Sequence, residues 1–141
     1  MKTIERKMIA VQERVQRLRQ LAEGLSSFDD YNRSADARDI AERNLQIAIE
    51  ACLDIGKIII SKKRLPEPQD YKGIFMALAQ AHIIRPESTV FLSDMAGTRN
   101  ILVHGYDKVD DGLIYGILKK HLNDFDVFLS EVRDNYLIKK Q

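Results

Sequence analysis

Leu45-Gln46-Ile47-Ala48-Ile49-Glu50-Ala51-Cys52-Leu53-Asp54-Ile55-Gly56-Lys57-Ile58-Ile59-Ile60-Ser61 is the most apolar stretch of the chain. Its apolar side chains would cover well over half the circumference of a helix, so the helix they form is buried on several sides and makes the core element. Its polar residues are not scattered. At about 100° per residue, Arg43, Gln46, Glu50, Asp54, Lys57 and Ser61 fall in one stripe roughly 80° wide. Two readings of that stripe stand: the solvent-facing strip that any bundle helix keeps, or one wall of a polar cleft or subunit interface, with Arg43, Gln46, Glu50 and Asp54 lining it.

Toward the N-terminus, Ile4, Met8, Val11, Val15, Leu18, Ala22 and Leu25 recur at alternating steps of four and three. That seam predicts a long first helix packed on one narrow stripe, with Glu5, Glu13, Arg14, Arg17 and Arg19 on a solvated face. Ser26-Ser27-Phe28-Asp29-Asp30 breaks the pattern with capping residues, and the apolar core helix starts somewhere from Ser27 to Ser34. Toward the C-terminus, Pro66 and Pro68 make a connection, since each lacks a donor and restricts its predecessor. The basic triplet Lys62-Lys63-Arg64 before it suits a helix C-terminus, and it could also touch an RNA backbone. Asp70 reads as the N-cap of a short helix using Ile74, Phe75, Leu78 and Ile83. Pro86 and Glu87 suit the first turn of a helix carrying Val90, Phe91, Met95, Ile101, Leu102 and Val103. Asp110 or Asp111 caps a last helix with Ile114, Ile117, Leu118, Leu122, Phe125, Phe128, Leu129 and Val132 inward. Strand-type alternation is absent, so the fold class is all-α: an up-and-down bundle of four long helices plus a short one, forming one domain over residues 1–141.

The chain has 141 residues, with 22 Lys and Arg against 21 Asp and Glu and a formal charge of +1. That balance argues against non-specific coating of nucleic acid, which needs many cations, but leaves room for RNA at one local basic site. The single Cys52 lies in an apolar run and reads as a buried structural thiol. No apolar stretch suits a signal peptide or a bilayer span, and the chain reads as cytoplasmic with no membrane partner. There is no Gly-rich phosphate loop, no metal-binding His pair and no nucleophile triad, so no cofactor or metal is expected. His82 and His121 read as surface or cap histidines.

The chemistry is concentrated in Arg99-Asn100-Ile101-Leu102-Val103-His104-Gly105-Tyr106. Arg stays charged in a protein and its planar fork matches phosphate geometry. His takes or gives a proton near neutrality. Held together, the pair could cleave RNA without a metal: His104 moves the proton of a ribose 2′-hydroxyl and Arg99 stabilises charge on the phosphorus oxygens. On a regular helix, however, Arg99 and His104 lie about 140° apart, whereas Ala96, Asn100 and His104 share a face. Convergence therefore requires a distorted helix end near Gly105 or a second subunit. Gly105 is expected to permit backbone angles costly for other residues, letting the chain leave the helix.

That octapeptide resembles the Arg-polar-x3-His-x-Tyr signature of the HEPN superfamily in its HepT-like ribonuclease toxin branch. Ala41 to Gly56 looks like the family's second helix, and Leu65-Pro66-Glu67-Pro68 with Tyr71-Lys72-Gly73-Ile74-Phe75 is similar to its proline connection. Gly73 replaces the acidic residue often found there. The resemblance covers most of the chain from about residue 38 to about residue 130. It implies a metal-independent RNA endonuclease, a homodimer with Arg99 and His104 of both chains around one cleft, and Asn100 as a site-orienting residue. It also implies a toxin neutralised by an MntA-like nucleotidyltransferase antitoxin, which transfers AMP to the signature tyrosine, here Tyr106. The competing class is a non-catalytic helical interaction module that partners a nucleotidyltransferase, with Arg99 salt-bridged and His104 a helix-end histidine.

Overall fold

The structure, a computed structural model, describes residues 2–105 and 108–138, and all its regular elements are helical. They are α1 (Lys2–Glu23), α2 (Phe28–Arg33), α3 (Ala35–Lys62), α4 (Tyr71–Gln80), α5 (Ser88–His104), α6 (Asp111–Lys120) and α7 (Asn123–Val132), closed by a π-helical segment, Arg133–Ile138. None of these helices is long and apolar enough to cross a membrane.

The central element is α3. Leu45, Ala48, Ile49, Cys52, Leu53, Ile55 and Ile59 are buried along it, and it touches α1, α2, α4, α5 and α6. Burying a Leu- or Ile-sized side chain stabilises by about 1.5–3 kcal/mol, so this one helix supplies a large share of the driving force. Cys52 is a free, buried thiol, and burial pushes its pKa well up, which makes it inert. The α1 seam packs along α3 as its spacing predicts, with Ile4, Val11, Val15 and Leu18 almost fully covered. Two α1 residues assigned to the solvated face instead make tertiary contacts. Arg14 Nη1 donates to the buried Asn44 Oδ1 at 3.2 Å, and Arg19 pairs with Asp126 on α7. Long cationic side chains can bridge from the flank of a seam to a neighbouring helix.

The interval from Ser27 to Ser34 holds two helix starts rather than one. The Ser27 hydroxyl accepts from Asp30 N–H to cap α2. Ser34 ends α2 and caps α3, its hydroxyl accepting from Ala37 N–H. Asp70 and Asp110 cap α4 and α6 as expected. Pro86 and Glu87 form a turn just before α5 instead of its first turn. The predicted single last helix is divided at His121 and Leu122 into α6 and α7, and the exposed His82 and His121 both sit at helix C-terminal ends. Val90 and Ile101, expected inward, are 67% and 38% exposed because α5 packs through Leu92, Met95, Ala96 and Leu102.

Two features fix how α5 starts and how closely α4 docks. Glu131 on α7, itself buried, accepts from Arg85 N–H and Ser88 Oγ, both at 2.6 Å, and so fixes the start of α5. Gly56 on α3 lets α4 come close: a Cβ there would lie 2.4 Å from Ile74 Cγ2.

Candidate active site

Arg99 lies in the last half of α5 with its side chain only 16% exposed, turned toward α3 and α4. Its Nε donates to Glu50 Oε2 at 3.0 Å, and Nη2 is 3.0 Å from the same oxygen. Nη1 donates to Asn100 Oδ1 at 3.3 Å. Gln46 Nε2 reaches Glu50 Oε2 at 3.5 Å, one turn earlier on α3. The Tyr71 ring, at the first residue of α4, lies 5.1 Å from Arg99 Cζ and equally 5.1 Å from Lys57 Nζ, so two cations meet one aromatic ring. Glu50, Leu53, Asp54, Lys57, Tyr71 and Arg99 enclose a pocket of about 170 Å³.

The polar stripe of α3 is therefore a cleft wall in its middle part. Glu50 is bonded to Arg99, and Asp54 lines the same pocket while its carboxylate is paired with Lys7 Nζ at 2.9 Å. Arg43 is exposed and makes no hydrogen bond or ion pair with these groups. Tyr71 and Lys57 were not singled out from sequence as site residues. Lys57 was within reach of the stripe argument, falling three residues after Asp54. Tyr71 was not, because its place depends on how closely α4 docks on α3.

The structure does not bring Arg99 and His104 together within one chain. The helix stays regular through His104, so the imidazole is exposed while the guanidinium is covered. Ala96 is buried but Asn100 and His104 on the same face are exposed, so this face leaves the core over its last two turns. Gly105 corrects an expectation: its φ is −120°, ordinary for any residue. What it provides is close approach, since its N–H donates to Ile101 O at 2.8 Å and a Cβ would stand 3.2 Å from that same oxygen. Tyr106, the expected AMP acceptor, lies outside the described residues.

Chemically, Arg99 is a guanidinium held along one edge by a carboxylate and flanked by an aromatic ring, with donors left for a phosphate. Five residues on, an imidazole stands open to solvent. Among the described residues no group of three or more His, Cys, Asp and Glu is placed to hold a metal ion.

Residues 11–132 match the family model described as "Ribonuclease HepT-like". The mRNA nuclease HepT of Shewanella oneidensis is 34% identical over 90 residues, covering 64% of this chain and 68% of the relative. The tRNA nuclease HepT of Aphanizomenon flos-aquae is 30% identical over 112 residues, covering 79% and 76%. A solved structure of a tri-AMPylated Shewanella oneidensis HEPN toxin in complex with MNT antitoxin superposes with a TM-score of 0.87 at 28% identity, over 95% of this chain and 98% of that one.

Proposed function

This chain belongs to the ribonuclease HepT-like family, and we propose that it is a cytoplasmic toxin that cleaves RNA without a metal and is neutralised when a nucleotidyltransferase antitoxin transfers AMP to Tyr106. His104 takes the proton of a ribose 2′-hydroxyl, whose oxygen attacks the adjacent phosphorus. The 5′-oxygen leaves with a proton given by an imidazolium, that of His104 or of its copy in the second subunit, and the products carry a 2′,3′-cyclic phosphate and a 5′-hydroxyl. Arg99 stabilises the charge that builds on the non-bridging oxygens, where its free donors are aimed by Glu50 and Asn100. The observation that carries this reading is the guanidinium held against Glu50 and Tyr71, with donors to spare.

Because Arg99 and His104 diverge on a regular α5, the site is completed by a two-fold dimer in which both copies line one cleft. The exposed Ile101 between them supplies apolar surface for that contact. Tyr106 follows His104 by two residues. AMP on its phenol adds a phosphodiester charge beside Arg99 and occupies the place of the substrate phosphate.

The test is to incubate the purified protein with total RNA in EDTA and analyse the ends. Fragments with 2′,3′-cyclic phosphates are expected. Intact RNA, together with a stable complex with the nucleotidyltransferase, would make the chain a non-catalytic interaction module instead. In co-expression with that partner, intact mass should rise by whole AMP increments, and Tyr106→Phe should abolish them. Increments that persist in Tyr106→Phe would overturn the modification site.

A further inference from the structure

We propose that the groove beside the Arg99 pocket, at the C-terminal end of α3, is a second phosphate subsite that holds a neighbouring phosphodiester of the same RNA strand. The inference rests on the ribonuclease reading above and extends it to how the strand is held away from the reacting bond.

The groove has a volume of about 370 Å³ and is lined by Lys57, Ser61, Arg64, Leu65 and Glu67, among others. That is within the roughly 300–1,000 Å³ usual for sites that take small molecules. It neighbours the Arg99 pocket, and Lys57 lines both. A strand whose scissile phosphate meets Arg99 can therefore run over Lys57 toward Arg64 without leaving the surface. Ile60, Leu65 and Pro68 give the groove an apolar side for sugar or base.

The charges around it are unspent. Among the described residues Arg19, Arg33, Arg85, Arg99 and Lys7 each face a carboxylate. Lys57, Lys62, Lys63 and Arg64 make no ion pair, although the Glu67 carboxylate also lines the groove; Lys57 has the Tyr71 ring. In a chain with a formal charge of +1, four cations outside any ion pair, set against the single Glu67 carboxylate of the groove, leave a net positive local field, and such fields collect phosphates. The helix macrodipole does not account for all four. It presents roughly half a negative charge at this end, which one cation satisfies.

Backbone geometry adds an independent observation. The helix closes with Leu65 N–H on Ile60 O at 2.9 Å and Arg64 N–H on Ser61 O at 3.2 Å. In that closure the residue after the cap is left-handed and is usually glycine. Here it is Arg64, with φ of 54°. The chain accepts a strained conformation and keeps a guanidinium at the groove.

The same strain supplies the test. Arg64→Gly removes the cation while suiting the backbone, so folding and binding separate. Binding of a fluorescent single-stranded RNA oligonucleotide is followed by anisotropy over a range of salt, on His104→Ala protein so that the probe stays whole. Arg64→Gly is expected to weaken binding about fivefold at 0.1 M salt and to make the slope of log K against log salt shallower by about 0.7, one phosphate contact on a single strand. Its thermal midpoint should equal or exceed that of its parent. Lys62→Gln with Lys63→Gln should shallow the slope further. Unchanged affinity and slope in Arg64→Gly, on a protein whose His104-intact form cuts RNA, would overturn the subsite and leave the ribonuclease reading standing. Failure of the unsubstituted chain to bind or cut any RNA would overturn both. Weaker binding to the nucleotidyltransferase with RNA affinity intact would also overturn the subsite and make the groove a protein contact.

Discussion

Both ends of α5 carry an arginine–glutamate pair, and the two are built in opposite senses. At the start, Glu131 is the buried member and Arg85 the exposed one, with side chains 10% and 63% exposed and 3.5 Å apart. The carboxylate is consumed by Arg85 N–H and Ser88 Oγ, so it holds backbone and hydroxyl, and its arginine is nearly incidental. At the end of α5, Arg99 is the more covered member at 16%, and Glu50 is 34% exposed. There the carboxylate is a strut and the guanidinium is what is displayed. A salt bridge is thus not one kind of object. Which partner is desolvated, and which has donors or acceptors left over, separates a pair that fixes a helix from a pair that can meet a ligand.

The largest effect that would sharpen this contrast is on activity. Arg99→Ala or His104→Ala should lower RNA cleavage by about 100- to 10,000-fold while the circular dichroism spectrum and thermal midpoint stay close to those of the parent. Wild-type rates in both would break the assignment. Next comes the mirror experiment at the other end. Glu131→Ala leaves the Arg85 N–H and the buried Ser88 hydroxyl without their acceptor, so urea unfolding should show a loss of about 3 kcal/mol, with cleavage per folded molecule unchanged. A smaller effect is expected at the strut itself. Glu50→Ala keeps the Arg99 charge but frees its orientation, and single-turnover cleavage should slow by about tenfold, since misplacement rather than loss of a group is involved. If Glu50→Ala destabilised the fold as much as Glu131→Ala, the two pairs would be the same kind after all.

The smallest effect comes from a carboxylate without a dedicated strut. Burial, and then the charges of Asp111 and Asp39, push the Glu42 pKa up. A folded pKa above the unfolded one means that the folded chain binds the proton more tightly. Stability is therefore gained as pH falls through the folded pKa, and the charged form is a burden above it. Glu42→Gln should raise the thermal midpoint at pH 8 by about 1 °C, with the difference shrinking toward pH 4 in a melting series.

Much of this was legible in the residues. The α1 seam, the apolar surface of α3 and the cap at Asp70 are local signals found where their patterns put them, while the caps Ser34 and Asp110 fall within the interval from Ser27 to Ser34 and the pair Asp110 or Asp111 that the residues offered. The division between α6 and α7 was not, because the apolar period runs on through Leu122 and Phe125 with no glycine or proline to mark it. It is made by short-range bonds, Asp124 N–H on His121 O at 3.1 Å and Phe125 N–H on Leu122 O at 3.2 Å. The π-helical end has no residue signature of its own either. At the site, the stripe on α3 located Glu50 and Asp54. It could not say that Arg99, 49 positions away, would meet Glu50, nor that the Tyr71 ring would lie against both Arg99 and Lys57. Those are consequences of docking, which periodicity along one helix does not encode.

The missing side chain at Gly56 has a consequence for how the Arg99 pocket is held. Ile74 is β-branched and stiff, so the methyl of Gly56→Ala, 2.4 Å from its Cγ2, could not be accommodated by a rotamer change alone. It would act as a wedge that lifts α4 from α3. Tyr71 rides on α4 only three residues before Ile74 and would be carried off Arg99 and Lys57 together. The absence of one methyl group at Gly56 thus holds the Tyr71 ring in register with both cations, although Gly56 touches neither of them.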